Sequence, residues 1–492
     1  MRLRAATILL ATVAAAGVES LMLLEYPGLD LLRANLVLQL GLLVVFGYWS
    51  RAVTRTYFSA PLILVAAIYF WHSTYLTAHF LVPLQEFQYT GAIFTYGSEF
   101  IPQATALVAL CMVCTVLGSV YAFHREQADF LGRPGGEPDE GGASRIGLSL
   151  LHGTASLFAW TCLAACLVVT AVYLLLEGAD TFGQAYMTLY LDRPESLVER
   201  LYQSTKFFGA VAVLMVFTAR RARAMPIAPL VFSGTLAFLG ILMGSRSVPF
   251  MVLLAMLVCI DRFVRRLSLL EVAALALLAS AASFVIDHTR EYGIGLQIFD
   301  LARTGRSIDL LNIVFNAGGV IKTVLRTMAF SNGHAALYGR SIADAIVYLL
   351  PRPLVDGAGF RTGFVRPSEW LIANSADVRP GEGLGYSLVA ESYLNFGYLG
   401  CLLFAALGFF VGQQYFRHVF TDDRIAWARA YVIAVVLSLH MRNDLAASLR
   451  VLVYGYLLIE LLHWIDRREL TLRFTWPFHV RAARNAGSNV TP

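Results

Sequence analysis

Long apolar stretches recur along this chain, separated by short links whose charged residues are mostly arginine. A helix needs about 20 apolar residues to cross a bilayer core. Twelve runs are candidate spans: Ala5–Leu24, Ala34–Ser50, Phe58–Val82, Gln103–Phe123, Ser149–Leu176, Thr205–Thr218, Ile227–Met243, Val248–Ile260, Leu269–Ile286, Tyr393–Val411, Ala426–Leu439 and Leu445–Ile465. The pattern predicts an all-α, polytopic membrane protein with about 12 transmembrane helices. The first run follows Arg2 and Arg4 like a signal peptide, but no A-x-A cleavage site precedes polar sequence, so it reads as a retained anchor.

The arginines orient this set. With the N-terminus inside and the spans alternating, sixteen fall on short cytoplasmic ends: Arg2, Arg4, Arg51, Arg55, Arg125, Arg133, Arg145, Arg220, Arg221, Arg223, Arg262, Arg265, Arg266, Arg417, Arg424 and Arg429. The short outer loops hold five, Arg33, Arg193, Arg200, Arg246 and Arg442. That split follows the positive-inside rule and puts both termini in the cytoplasm. The expected organisation is then spans one to nine over 1–286, with a Gly- and Pro-rich cytoplasmic linker at 124–148. A periplasmic cap loop follows at 287–387, spans ten to twelve at 388–465, and a cytoplasmic tail at 466–492. Within the cap, Ser307 and Ser341 are positioned to start amphipathic helices, running to about Met328 and to Leu350, and Pro367 opens a third. Their apolar faces suggest a cap lying on the outer membrane face.

Composition narrows the function classes. The 492 residues are 58% hydrophobic and only 14% charged, against roughly a quarter charged in a soluble domain. This excludes a water-soluble enzyme, a nucleic-acid binder and a disordered chain. Of 38 basic residues only Lys206 and Lys322 are lysine, and arginine is the residue suited to forked contacts with phosphate. The six cysteines all lie in apolar runs, and Cys111 and Cys114 read as small packing residues.

Charge at the rim of a span is costly and marks function by default. Arg246 sits at the tip of a Gly-Ser-Arg hairpin, Arg290 follows the ninth span, Arg442 tips the last hairpin, and Arg450 lies about two turns into the twelfth span. These four share one depth at the outer end and suit a diphosphate, whose oxygens accept forked hydrogen bonds. Glu391 is the one acidic residue at the start of an outer-end span, and it shares a helix face with Asn395. It is the first candidate for a general base, with His334 the second. Tyr393, Asn395 and Asn443 adjoin as candidates for glycan contacts. His72 and His79 share a face of the third span and read as packed or hydrogen-bonded. The outer carboxylates Asp300, Asp309, Glu369 and Asp377 are scattered without a D-x-D, so no metal or other cofactor is expected.

The stretch from Arg246 to Arg450 resembles the bacterial Wzy-type oligosaccharide repeat-unit (O-antigen) polymerases. The resemblance is carried by the Gly-Ser-Arg hairpin, the Tyr338-Gly339-Arg340-Ser341 turn before a helix ending Pro351-Arg352-Pro353, the Gly383-Leu384-Gly385-Tyr386-Ser387 turn, the stretch Ala390-Glu391-Ser392-Tyr393-Leu394-Asn395-Phe396-Gly397, and Arg442. It implies a metal-independent glycosyltransferase of the bacterial inner membrane, similar to the GT-C class, working at the periplasmic face. Its implied substrates are undecaprenyl-diphosphate-linked oligosaccharides within membrane lipid, and it admits a chain-length regulator as partner. An O-antigen ligase differs only in its acceptor, lipid A core. A lipid-linked oligosaccharide flippase or transporter has as many spans but would show repeated halves and midplane ionisable residues.

Overall fold

Every regular element among the described residues is helical. The computed structural model describes residues 2–81, 98–132, 154–181, 198, 201–202, 208–219, 227–242, 247–272, 274, 318–331, 337–349, 366–374 and 386–467. The helices are α1 (Arg2–Glu25), α2 (Leu29–Thr54), α3 (Ala60–His72), α4 (Thr74–Leu81), α5 (Ile101–Leu131), α6 (Thr154–Thr181), α7 (Phe208–Thr218), α8 (Ile227–Leu242), α9 (Ser247–Cys259), α10 (Ile321–Phe330), α11 (Arg340–Val347), α12 (Pro367–Asn374), α13 (Leu388–Phe396), α14 (Cys401–Thr421), α15 (Arg424–His440) and α16 (Leu445–Arg467). Six segments are long and apolar enough to cross a membrane: Arg4–Glu25, Leu29–Thr54, Ser98–Leu131, Ala155–Leu176, Leu388–Thr421 and Leu445–Ile465. The bent pair α3 and α4 makes a seventh. Helices α7, α8, α9 and α15 match the sixth, seventh, eighth and eleventh expected runs and, over their described residues, are shorter than a full crossing. Most of the ninth run lies outside the described residues.

The bundle is ordered by how much lipid each helix can meet. Helices α1 and α2 leave Ile8, Leu10, Val18, Leu21, Val37 and Val44 exposed, a surface too apolar for water and suited to acyl chains. By contrast α7 and α15 are buried around their whole circumference, from Gly209 to Thr218 and from Ile425 to His440, with Arg424 and Arg429 as the partly exposed exceptions in α15. The closest pair is α5 with α14, which touch backbone to backbone. A Cβ on Gly118 would lie 2.0 Å from the Ala405 carbonyl oxygen, and one on Gly408 would lie 2.2 Å from that of Thr115. Small residues permit this approach, the usual means of joining helices where lipid tails remove the hydrophobic drive.

Two expected spans are broken. Phe58–Val82 reads as one helix, but α3 and α4 meet at a 55° bend. No proline or glycine stands there. The Thr74 hydroxyl donates to the Phe70 carbonyl at 2.7 Å, a back-bond that competes with the helix ladder, while the Ser73 hydroxyl donates sideways to Gln39 Oε1 at 2.5 Å. The tenth span begins earlier than Tyr393. Helix α13 runs from Leu388 and stops at Gly397, whose φ of 58° a side chain rarely adopts, before a 3-10 turn leads into α14.

Three pieces of the cap are described. Pro367 opens α12 as its position implies, and α11 starts at Arg340, one residue before Ser341. The expected helix from Ser307 is described only from Gly318 onward. Contrary to a cap lying on the membrane face, the apolar stripe of α10 (Ile321, Val324, Leu325 and Met328) is fully buried against the bundle, where it packs on α5, α12 and α13. Helix α11 likewise packs on α13 and α16. These helices close the end of the bundle from within.

Candidate functional site

One end of the bundle gathers the paired charges Arg262–Asp422, Arg266–Asp261, Arg417–Glu126 and the two-pronged Arg429–Glu460. The opposite end is built around the buried carboxylate of Glu391.

Ser387 starts α13 with extended backbone (φ −127°, ψ 132°), its hydroxyl accepting the Ala390 N–H. This is a serine N-cap, which satisfies one of the free donors of the first turn. One turn on, Glu391 is 1% exposed. Its Oε1 accepts from the Ser341 hydroxyl at 2.7 Å, and its Oε2 from the Leu445 N–H at 2.6 Å. Asn395 Nδ2, four residues further on the same face, donates to Ser341 Oγ at 2.7 Å and to the Glu391 carbonyl at 2.8 Å. An amide nitrogen can only donate, so the Ser341 proton is directed at the carboxylate. Two backbone bonds hold the frame: the Leu388 N–H reaches the Met441 carbonyl and the Leu337 N–H the Leu394 carbonyl. Segments 337–347, 388–396 and 441–445 therefore meet at one carboxylate.

A second acid sits beside it. Asp444 caps α16, accepting the Ala447 N–H on Oδ1 at 2.9 Å and the Ser368 hydroxyl on Oδ2 at 3.0 Å. With Glu391 on Leu445, it places two carboxylates at the N-terminus of α16, where the helix dipole favours negative charge. Arg366 Nε lies 3.8 Å from Asp444 and its guanidinium 5.4 Å from the Tyr348 ring centroid. Asp444 and Arg366 both act electrostatically on Glu391.

The residues expected to form the site are distributed unevenly. Arg246, Arg290 and His334 lie outside the described residues. Arg442 stacks its guanidinium 5.3 Å from the Trp71 ring centroid, while Arg450 donates to the Tyr348 carbonyl at 2.5 Å. Asn443 contacts His440 Nδ1 at 3.1 Å. Tyr393 is fully buried with its ring edge-on to Tyr398, and Asn395 is fully buried on Ser341, so both hold α13 in place. Four contributors were missed. Asp444 carries a readable signal, an Asp just ahead of an apolar run. Ser341 reads in sequence as a helix start, His72 as packed or hydrogen-bonded but with no partner named, and no local pattern sets Arg366 apart. Among the described residues no three His, Cys, Asp or Glu side chains group as a metal-binding set.

A chain whose described elements are all helical, with at least six membrane-length apolar segments and a buried polar node at one end, is a polytopic membrane protein. Residues 368–467 match the family model described as O-antigen polysaccharide polymerase Wzy. That segment runs from Ser368 through Glu391, Arg442 and Asp444 to the end of α16, so the likeness to Wzy-type polymerases falls on Glu391, Asp444 and Leu445 of the node, while Ser341 and Arg366 lie outside it. It supports O-antigen polymerisation, a glycosyl-transfer reaction, as the activity. No curated protein and no solved structure matches the chain.

Proposed function

We propose that this chain polymerises undecaprenyl-diphosphate-linked oligosaccharide repeat units at the periplasmic face of the bacterial inner membrane. The growing glycan leaves its polyprenyl diphosphate and joins a sugar hydroxyl of the next lipid-linked unit. The observation that carries the reading is the buried Glu391, which lies inside the Wzy-matching segment. Twelve spans with both termini in the cytoplasm, the arrangement the arginine split supports, put that node on the outer side, where 287–387 forms the cap.

Glu391 is the base for the acceptor hydroxyl in this reading, with His334 as its rival. The Ser341 hydroxyl supports this role, because it already presents an O–H to Oε1 at 2.7 Å. A sugar hydroxyl taking its place meets the hydrogen-bond reach that proton transfer requires. Meanwhile the Leu445 N–H keeps Oε2 fixed, so displacing α11 opens one oxygen without freeing the carboxylate. Arg442, with Arg246 and Arg290, supplies charge to the departing diphosphate, where preorganised donors act most strongly. Arg450 belongs to the same group more weakly, and Asn443 beside Arg442 is placed to contact glycan. No metal takes part in this scheme.

The test is a polymer ladder made by purified protein in detergent from lipid-linked repeat units alone, in the presence of EDTA. A ladder without lipid A core supports a polymerase over a ligase. Loss of the ladder in EDTA with rescue by Mg²⁺ refutes the metal-free scheme, and transport without new glycosidic bonds refutes the enzyme reading.

A further inference from the structure

We propose that His72 is a positioning residue for Glu391, acting through the N-cap Ser387 from the break between α3 and α4. His72 is fully buried. Its Nδ1 stands 2.9 Å from the Ile68 carbonyl, which can only accept, so Nδ1 carries the proton of the neutral ring. Nε2 then offers a lone pair to Ser387 Oγ at 2.7 Å, and the serine hydroxyl must donate to it. That directs the serine's own lone pairs toward the Ala390 N–H at 3.2 Å, the bond that starts the helix bearing Glu391. Every polar group in this chain of contacts has one complementary partner, which is what makes its burial tolerable.

The break anchors both sides of the carboxylate. Trp71, one residue earlier, donates its indole N–H to the Ser438 carbonyl at 2.5 Å, near the end of α15. The hairpin that follows supplies the Leu445 N–H to Glu391. Consecutive residues of α3 thus fix Ser387 on one side of Glu391 and the 441–445 hairpin on the other. The break is itself tied back by buried polar contacts: Ser73 to Gln39, Gln39 to Asn35 and the Thr105 carbonyl, and Asn35 to Ser20. A packing histidine needs none of this directionality.

The inference rests on Glu391 receiving the acceptor proton, and the experiment separates the two. Rates of polymerisation are measured on lipid-linked repeat units with His72→Leu, His72→Gln, Ser387→Ala and the His72→Leu/Ser387→Ala double variant, beside Glu391→Gln. Misplacing a reacting group by about 1 Å can cost on the order of 100-fold. His72→Leu and Ser387→Ala are therefore expected to lower kcat by roughly 10- to 100-fold with KM for the lipid-linked substrate unchanged. His72→Gln keeps an acceptor for Ser387 and is expected to recover most of kcat. The double variant should be no worse than the worse single, as for two residues acting through one contact. A merely structural role would move protein yield and thermal stability but not give this rescue. Multiplying losses, a glutamine no better than leucine, or a rise in KM at constant kcat overturns the inference while Glu391→Gln remains inert. Should His72→Leu fail to insert, Ser387→Ala decides alone, and wild-type kcat for it overturns the proposal. A Glu391→Gln variant that polymerises normally removes the functional reading instead, and the inference with it.

Discussion

Replacing Glu391 by glutamine exchanges one carboxylate oxygen for an NH2 group and removes the charge, and the consequences can be worked from the contacts. The side-chain oxygen of the new amide can still face the Leu445 N–H, so that donor stays satisfied. The amide nitrogen must then face Ser341 Oγ, which already accepts from Asn395 Nδ2. The Ser341 proton, now aimed at carboxylate, loses its acceptor. One buried donor left without a partner costs about 1–3 kcal/mol, and loss of negative charge at the start of α16 adds roughly 0.3–1 kcal/mol. Glu391→Ala orphans both the serine hydroxyl and the Leu445 N–H, and should cost about twice as much, on the order of 2–6 kcal/mol. The glutamine variant is therefore expected to insert, to melt modestly earlier than wild type by fluorescence-detected size exclusion, and to make no polymer. The alanine variant should melt earlier again. Ordered losses in stability with no loss of polymer in the glutamine variant would show that Glu391 only joins helices, and would end its assignment as the base. Equal stability of all three proteins would refute the hydrogen-bond geometry itself.

Ser341→Ala removes the hydroxyl that occupies the place of the acceptor, while Asn395 keeps its bond to the Glu391 carbonyl. It should lose about 1.5–3 kcal/mol of stability yet retain polymerisation, and a dead but folded variant would mean the serine takes part in the chemistry. Arg442→Lys keeps the charge but loses the fork, so its rate should fall by about 10²–10³, as should those of Arg246→Ala and Arg290→Ala. Arg450 already serves the Tyr348 carbonyl, and its replacement should cost less. Alanine at Arg303 and Arg379 should be tolerated, and equal damage there would sink the diphosphate assignment. Cysteines placed at Gly136 and Gly357 should differ in labelling by an impermeant thiol reagent on intact cells, with only the second reacting. Equal labelling refutes the topology.

Sequence alone determined what local pattern can determine. Apolar run length marks the helices of a membrane protein, and Pro367 opens its helix. The spacing of Glu391 and Asn395 places them on one face, and the structure keeps them there as neighbours. All of these depend on residues close together in the chain. Tertiary structure decided the rest, because the deciding contacts join distant parts of the chain. His72 and Ser387 are 315 residues apart, and Glu391 finds Leu445 54 residues on and Ser341 50 residues back. The bend after His72 has no proline or glycine to announce it. It goes with the Thr74 back-bond to Phe70 and with the Ser73 hydroxyl, whose partner Gln39 arrives only once α2 has packed alongside. Hydropathy likewise places Glu391 at the mouth of a span, where water or lipid headgroups would reach it. Burial depends on what packs over it, and here α11 and the α16 N-terminus cover it. An apolar face is the same in sequence whether lipid or another helix meets it, so the insertion of α10 into the bundle became visible only when its neighbours were in place.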